Sequence, residues 1–443
     1  MRRFLMQRLV EWKDSPDRKP LVLNGARQVG KTWLLREFGR EYFENVAYIS
    51  LDSNPGFAAQ FEAGFDIERL LLMIQAETGQ TVTPGKTLII FDEIQACPLA
   101  LTALKYFCEN IPDQAIATAG SLLGITFHRG SGFPVGKVDM LNLFPLSFRE
   151  FLDATGNTTL REVIDSGDWQ MLGFLSSKLQ ELLKQYYFVG GMPECVASFT
   201  RSQDFNRVRQ LQQAILFGYE RDISKHLGNQ AEYALAAWHS LPMHLGRENK
   251  KFFFGNIKEG ARARDYRSGI TWLTQAGIAT LVSRVSKPGI PLRAYADDAA
   301  FKLFALDVGL LGALADIDSG ALVDGHTLFT EFKGALTEQY VCQQLLAEGG
   351  FTPYYWSAPN SQAEVDFLVQ AGGNVYPLEV KAQENLRSKS LRAFHQRYPD
   401  THPRRFSLSG FRDQDWMINI PLYAIGNPQA WGANIEAAGA AVR

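Results

Sequence analysis

LVLNGARQVGKTWLLREF, residues 21–38, passes from an apolar run through a glycine-bounded loop into a run of helix formers. Leu21–Leu23 suit a central parallel strand buried on both faces, and Trp33–Phe38 place apolar residues at helical spacing. Between them Gly25-Ala26-Arg27-Gln28-Val29-Gly30-Lys31-Thr32 fits GxxxxGK[ST] at every fixed position. The chemistry asks for these types. Gly25 and Gly30 permit backbone angles that a side chain resists. The loop N–H groups and the helix N-terminus then converge on phosphate oxygens. Lys31 would bridge the β- and γ-phosphates, and Thr32 would ligate Mg²⁺. Residues 25–32 are therefore the expected ATP-binding loop.

A phosphate loop implies a second, acidic strand end. KTLIIFDEIQACP, residues 86–98, supplies it: Leu88–Phe91 form a buried strand that ends in Asp92-Glu93. Asp92 would hold Mg²⁺, and Glu93 would polarise the attacking water as general base. NVAYISLD (45–52) reads as another strand between the two motifs, and an acidic pair there suits ATPases that carry an additional central strand. In AIATAGS (115–121) a polar residue at the strand end would meet the γ-phosphate. Ser121 is the first choice and Thr118 the second.

The chain has 443 residues, 46% hydrophobic and 21% charged, with a formal net charge of −2. That length predicts two to four domains. The near-neutral charge leaves nucleic-acid binding to local patches. Four scattered cysteines, Cys97, Cys108, Cys195 and Cys342, form no CxxC, against a disulfide scaffold or a zinc site and in favour of a reducing cytoplasm. No apolar run of about 18 residues suggests a membrane span. The first 20 residues read as an amphipathic helix.

Beyond Phe151 the pattern turns helical. Leu179, Leu182, Leu183, Tyr186 and Tyr187 fall on one helix face, and GGMP (190–193) breaks the run. Residues 246–267 hold seven Lys/Arg against three acids, a local excess of four. A helix with Ile270, Leu273 and Ile278 and a hairpin turning at Lys287-Pro288-Gly289 follow, the order of a winged helix, which places one helix in a DNA major groove. Further on, a helix carries Glu338. In AEVDFLV (363–369) the strand period aligns Glu364, Asp366 and Leu368, and in YPLEVKA (376–382) it aligns Glu379 and Lys381. The short turn at Gly372-Gly373 would set Asp366 beside Glu379. Helix Glu, strand Asp and strand ExK form the PD-(D/E)xK nuclease pattern. Glu338, Asp366 and Glu379 would share a second Mg²⁺ or Mn²⁺, with Lys381 positioning or deprotonating a water. Residues 381–405 add seven Lys/Arg against two acids.

GARQVGKT, FDEIQ, AGS, FPVGKV and PLSFREFL, with YYFVGGMPECV, EVDFLV and LEVK, resemble the prokaryotic AAA-type ATPases that carry a C-terminal nuclease-like domain of formerly unknown function. The resemblance covers nearly the whole chain. It implies an AAA+ related P-loop core, a helical lid, and assembly into a ring in which a basic residue of one subunit completes the site of the next. Many relatives have arginine where this chain has Lys137, a poorer bidentate partner for phosphate. Arg129 and Arg221 are the alternative fingers. The expected fold class is α/β, divided into a P-loop ATPase core (1–155), a helical lid (156–235), a winged helix (236–315) and a PD-(D/E)xK nuclease-like domain (316–443). The expected function is a Mg²⁺-dependent, oligomeric, cytoplasmic ATPase acting on or with DNA. The alternatives are an ATP-dependent switch with a protein partner and an ATP-regulated metal-dependent nuclease.

Overall fold

The computed structural model describes residues 1–120, 133–318, 327–358, 363–382 and 387–433. The chain divides into two compact units, one built chiefly from Arg2–Phe144 and the other from Pro145–Thr274 together with Ile278 onward. The break thus falls at 144/145, and the three domains expected after residue 155 cluster as one unit.

The first unit holds a five-stranded sheet of β1 (Leu21–Asn24), β2 (Asn45–Ser50), β3 (Thr87–Asp92), β4 (Ala115–Gly120) and β5 (Asp139–Asn142). All pairings are parallel, in the order β2-β3-β4-β1-β5. Every residue of β3 and β4 is buried, as a parallel sheet covered on both faces requires. Helix Lys31–Tyr42 presents Leu34, Leu35 and Phe38 to the interior. A Cβ on its Gly39 would stand 2.5 Å from Val46, so only glycine lets helix and sheet approach this closely. The expected N-terminal helix spans Leu5–Asp14 and buries Leu9 and Trp12.

The second unit opens with helices. Phe148–Ala154 starts on a complete capping box of Ser147 and Glu150, which satisfies two otherwise orphaned donors. The expected stripe of Leu179, Leu182, Leu183, Tyr186 and Tyr187 is buried along Ser176–Val189. The GGMP break has a packing reason. A Cβ on Gly190 would lie 2.1 Å from Asp307 Oδ1, and one on Gly191 2.0 Å from the Leu146 carbonyl. Asp307 is fully buried. It accepts from the Gly191 amide at 2.6 Å, from the Leu310 amide at 3.0 Å and from Gln343 at 3.0 Å.

An eight-stranded mixed sheet completes this unit. Its strands are β6 (Ala279–Val285), β7 (Ala296–Ala305), β8 (Tyr354–Ser357), β9 (Glu364–Ala371), β10 (Asn374–Val380), β11 (Arg404–Ser407), β12 (Arg412–Gln414) and β13 (Met417–Pro421). Their order is β12-β13-β11-β10-β9-β8-β6-β7. The hairpin expected as a wing is therefore the edge of the C-terminal sheet: β6 pairs antiparallel with β7 and parallel with β8. Reading along the chain separated the two because β6 and β8 lie about seventy residues apart in sequence.

Candidate functional site

The phosphate loop joins β1 to helix Lys31–Tyr42. Gly25 lies so close to the Leu143 carbonyl that a Cβ would approach it to 2.4 Å. Gly30 caps the helix in the left-handed region (φ 94°), where glycine carries no steric penalty. Gln28 is also left-handed (φ 66°). Arg27 and Gln28 are exposed, whereas Ala26 and Val29 are buried. Buried Arg3, a residue sequence reasoning passed over, donates to the Val29 carbonyl at 3.0 Å and to the Phe144 carbonyl at 2.6 Å, tying the loop to the end of β5.

Lys31 Nζ donates to the carbonyls of Gly25 and Ala26, both at 2.8 Å. Burial pushes its pKa down to about 8, against the opposing fields of Glu93 and Asp92. Both carboxylates thus stand near the ammonium. Asp92 ends β3, and β4 separates it from β1, as the additional-strand reading expects. Its Oδ1 accepts from the Glu93 amide at 3.0 Å, and its Oδ2 from the Tyr48 hydroxyl at 2.8 Å. Glu93 is left-handed (φ 51°), an unusual conformation for a residue with a side chain, and Gln95 donates to its carboxylate. Tyr48 and Gln95 were missed because neither type carries a motif; the signal open to a reader was their position one strand over from, and two residues beyond, the acidic pair. Thr32 is the second residue of the helix and half-buried.

These residues fit Mg²⁺ and a nucleotide. Glycine keeps the cradle open where a Cβ would close it, and a buried ammonium faces two acids. Of the remaining candidates, Ser121 and Arg129 lie outside the described residues. Thr118 is buried within β4 and donates to the Leu21 carbonyl at 3.2 Å, so it serves the sheet. Lys137 pairs with Glu109 at 2.9 Å. Arg221 is exposed on helix Phe205–Leu227, 5.9 Å from the Phe217 ring centroid.

The second constellation forms in the C-terminal sheet. β9 and β10 are antiparallel neighbours through the Gly372-Gly373 turn, and the Val380 amide donates to Asp366 Oδ2 at 2.8 Å. Asp366, Glu379 and Lys381 line one cavity of about 630 Å³, together with Glu364, Lys251 and Arg284. Glu364 and Asp366 of β9 thus share the cavity with Glu379 and Lys381, whereas Leu368, expected on the same face, is buried in the hydrophobic core. Glu338 sits in the middle of helix Thr327–Ala347 rather than near its start, because the helix begins upstream of the expected position.

The expected metal centre is not formed. Among the described residues no group of three or more His, Cys, Asp or Glu side chains is arranged to hold a metal ion. Two lysines outside the motif pair with the acids there. Lys250 contacts Glu338 Oε1, and fully buried Lys302 of β7 stands 3.8 Å from Glu338 Oε2 and 2.5 Å from Glu364 Oε1. Burial opposes ionisation of Glu338, yet Lys250 and Lys302 hold its carboxyl below the usual range. Asp366 moves the other way: burial and the charge of Glu338 push it up to about 7. Lys381 lies 3.1 Å from Glu379 Oε1. The basic segment is also revised. Lys250 is turned inward, whereas Arg262, Arg264 and Arg267 are exposed on or beside helix Ala263–Gln275.

Residues 17–152 match a family model described as an AAA domain, and 180–321 and 333–423 match two models described as domains of unknown function. The N-terminal unit is accordingly an AAA-type P-loop domain. No curated protein matches the chain. Among solved structures, Aeropyrum pernix ORC1 in complex with DNA is 14% identical over 73% of this chain and 95% of that one, with a TM-score of 0.27. The Thermotoga maritima RuvB Holliday junction branch migration motor is 13% identical over 62% and 88%, with a TM-score of 0.28. PCH-2 of C. elegans is 14% identical over 36% of this chain and 46% of that one, with a TM-score of 0.24, so the chain spans under half of that relative's length. At scores this low the likenesses carry no functional argument. Among the described residues no helix is long and apolar enough to cross a membrane.

Proposed function

We propose that this chain is a Mg²⁺-dependent ATPase that works on or with DNA as a cytoplasmic homo-oligomer. The observation that carries the reading is the gathering of Lys31, Asp92 and Glu93 around a loop held open by Gly25 and Gly30. Loop amides and Lys31 bind and orient the phosphates. Thr32 and Asp92 would hold Mg²⁺, which supplies positive charge against the phosphate oxygens. Glu93 takes the proton of the attacking water, while Gln95 and the left-handed backbone fix its carboxylate. Tyr48 fixes Asp92. Ser121, the next residue in sequence after Gly120, and Arg129 or Arg221 from a neighbouring subunit complete the catalytic set.

DNA is supported by the exposed Arg262, Arg264 and Arg267. Phosphate contacts of this kind bind without reading sequence. The cavity at Asp366, Glu379 and Lys381 does not suit a resident divalent ion, so no cutting step is assigned to it. A protein partner is the second reading, favoured by Phe174, which is 88% exposed, and by neighbouring exposed Met171. ATP turnover measured with and without duplex, single-stranded and branched DNA tests the proposal. DNA should stimulate the wild-type chain and leave Glu93→Gln slow. Turnover indifferent to every DNA form would transfer the role to a protein partner.

A further inference from the structure

Arg3 is buried, although arginine ordinarily keeps its charge in water. It stands just before helix Leu5–Asp14, and that helix is seated on the phosphate-loop helix: the Trp12 ring lies 6.2 Å from the ring of Phe38. So placed, one guanidinium grips two carbonyls, Val29 through Nη1 at 3.0 Å and Phe144 through Nη2 at 2.6 Å. The planar fork of arginine suits such a double hold, which a single ammonium does not reproduce.

The Val29 carbonyl shares a peptide group with the Gly30 amide. That group is planar and trans, so its C=O and its N–H point in opposite directions. A donor that holds the carbonyl on one side therefore aims the Gly30 N–H to the other. The amides of this loop are the donors that cradle phosphate. This peptide is also one of the easiest in the loop to turn over. A flip changes Val29 ψ and Gly30 φ together, and Gly30, at φ 94°, accepts either sign of φ. The glycine that lets the loop form thus leaves its own amide without a fixed direction. Lys31 does not supply the hold, because its ammonium rests on the carbonyls of Gly25 and Ala26 and is needed at the phosphates.

We propose that Arg3 is a positioning residue of the phosphate loop: by gripping the Val29 carbonyl from behind, it keeps the Gly30 N–H aimed at the phosphates. The inference rests on the ATP-binding reading and adds to it a residue from outside the motif. Arg3 touches no reacting atom and acts through one peptide group. The Gly30 amide meets the phosphates before and during the reaction alike. Misdirecting it therefore weakens binding more than it slows turnover of bound ATP.

The full chain is tested by titration with the fluorescent N-methylanthraniloyl derivative of ATP and Mg²⁺, and by kcat and KM for ATP. Arg3→Ala should bind about 10–100-fold more weakly, the range for a hydrogen bond to a charged group, with KM raised and kcat little changed. Arg3→Lys keeps the buried charge and one of the two contacts, and it is the variant to read should Arg3→Ala not fold. Its KM should rise with kcat held. An arginine that serves only the fold would lower the melting temperature and kcat together and leave the affinity of the folded chain intact. That result overturns the proposal, as does wild-type affinity in a folded variant. Failure of both variants to fold would overturn it too, by making Arg3 a residue of the fold. Lys31→Ala, measured alongside, separates the two readings. If the wild-type chain binds no nucleotide, the ATPase reading fails and the clamp falls with it. If the wild type binds, Lys31→Ala does not, and the Arg3 variants match the wild type, the clamp alone fails.

Discussion

The two acidic sites solve one problem in opposite ways. At the phosphate loop the ligand-binding groups are mostly backbone, contiguous in sequence, and held by glycines. Its single ammonium, on Lys31, rests on two carbonyls rather than on an acid. In the C-terminal pocket the acids come from a helix and two strands, and three lysines stand against them, Lys250 from a connection, Lys302 from β7 and Lys381 from the end of β10 itself. The first site is arranged so that its charges meet on an incoming phosphate. The second is internally balanced, so anything entering must displace a charge already present. A carboxylate motif therefore does not specify a metal until the position of every ammonium within reach is known.

The sharpest break in this comparison is Glu93→Gln. Removal of a general base should lower kcat by about 10²–10⁴-fold with ATP still bound. A wild-type rate would show that Gln95 holds Glu93 for structure rather than for chemistry. Next in size is Lys302→Met, which leaves Glu338 and Glu364 short of a buried cation. Loss of one partner of a buried pair costs about 3–5 kcal/mol, which chemical denaturation would read. A change within error would mean that the pocket is wetter than its burial indicates.

A smaller effect concerns pH. The fold lowers the Lys31 pKa to about 8, so above that pH the free loop carries a neutral amine, and binding phosphate must recruit a proton. ATP affinity should be flat below pH 8 and weaken by about tenfold per unit above it. Calorimetry in buffers of different ionisation enthalpy should register the proton taken up; a flat profile to pH 9.5 would remove Lys31 from the phosphate. Smallest is the joint change of Arg262, Arg264 and Arg267 to Gln. Each lost phosphate contact should flatten the salt dependence of DNA binding by about 0.9 in log–log slope. An unchanged slope points to the protein partner.

The P-loop fold was legible because its signals are local: a four-residue apolar strand, fixed glycines, and an acidic pair ending a buried strand. The C-terminal strands were legible for the same reason, since Gly372-Gly373 and the alternation around Asp366 and Glu379 lie within twenty residues. What escaped was long-range. Nothing near Lys302 or Lys250 announces that Glu338, 36 and 88 positions later, requires them. Lys250 looked like one member of a basic run, although it is the member turned inward. The parallel pairing of β6 with β8 escaped likewise, because a hairpin looks the same whether its outer strand meets solvent or another sheet.

That pairing governs how the molecule can be cut. A fragment ending near residue 315 would retain β6 and β7 as an isolated two-stranded ribbon, which is marginal in water, with the β6 edge bare. The complementary fragment would bare β8. Each would present unmatched amides and carbonyls to its neighbours in solution and would tend to polymerise edge to edge. Proteolysis or gene fusion that respects this molecule should therefore keep residues 279–421 on one piece.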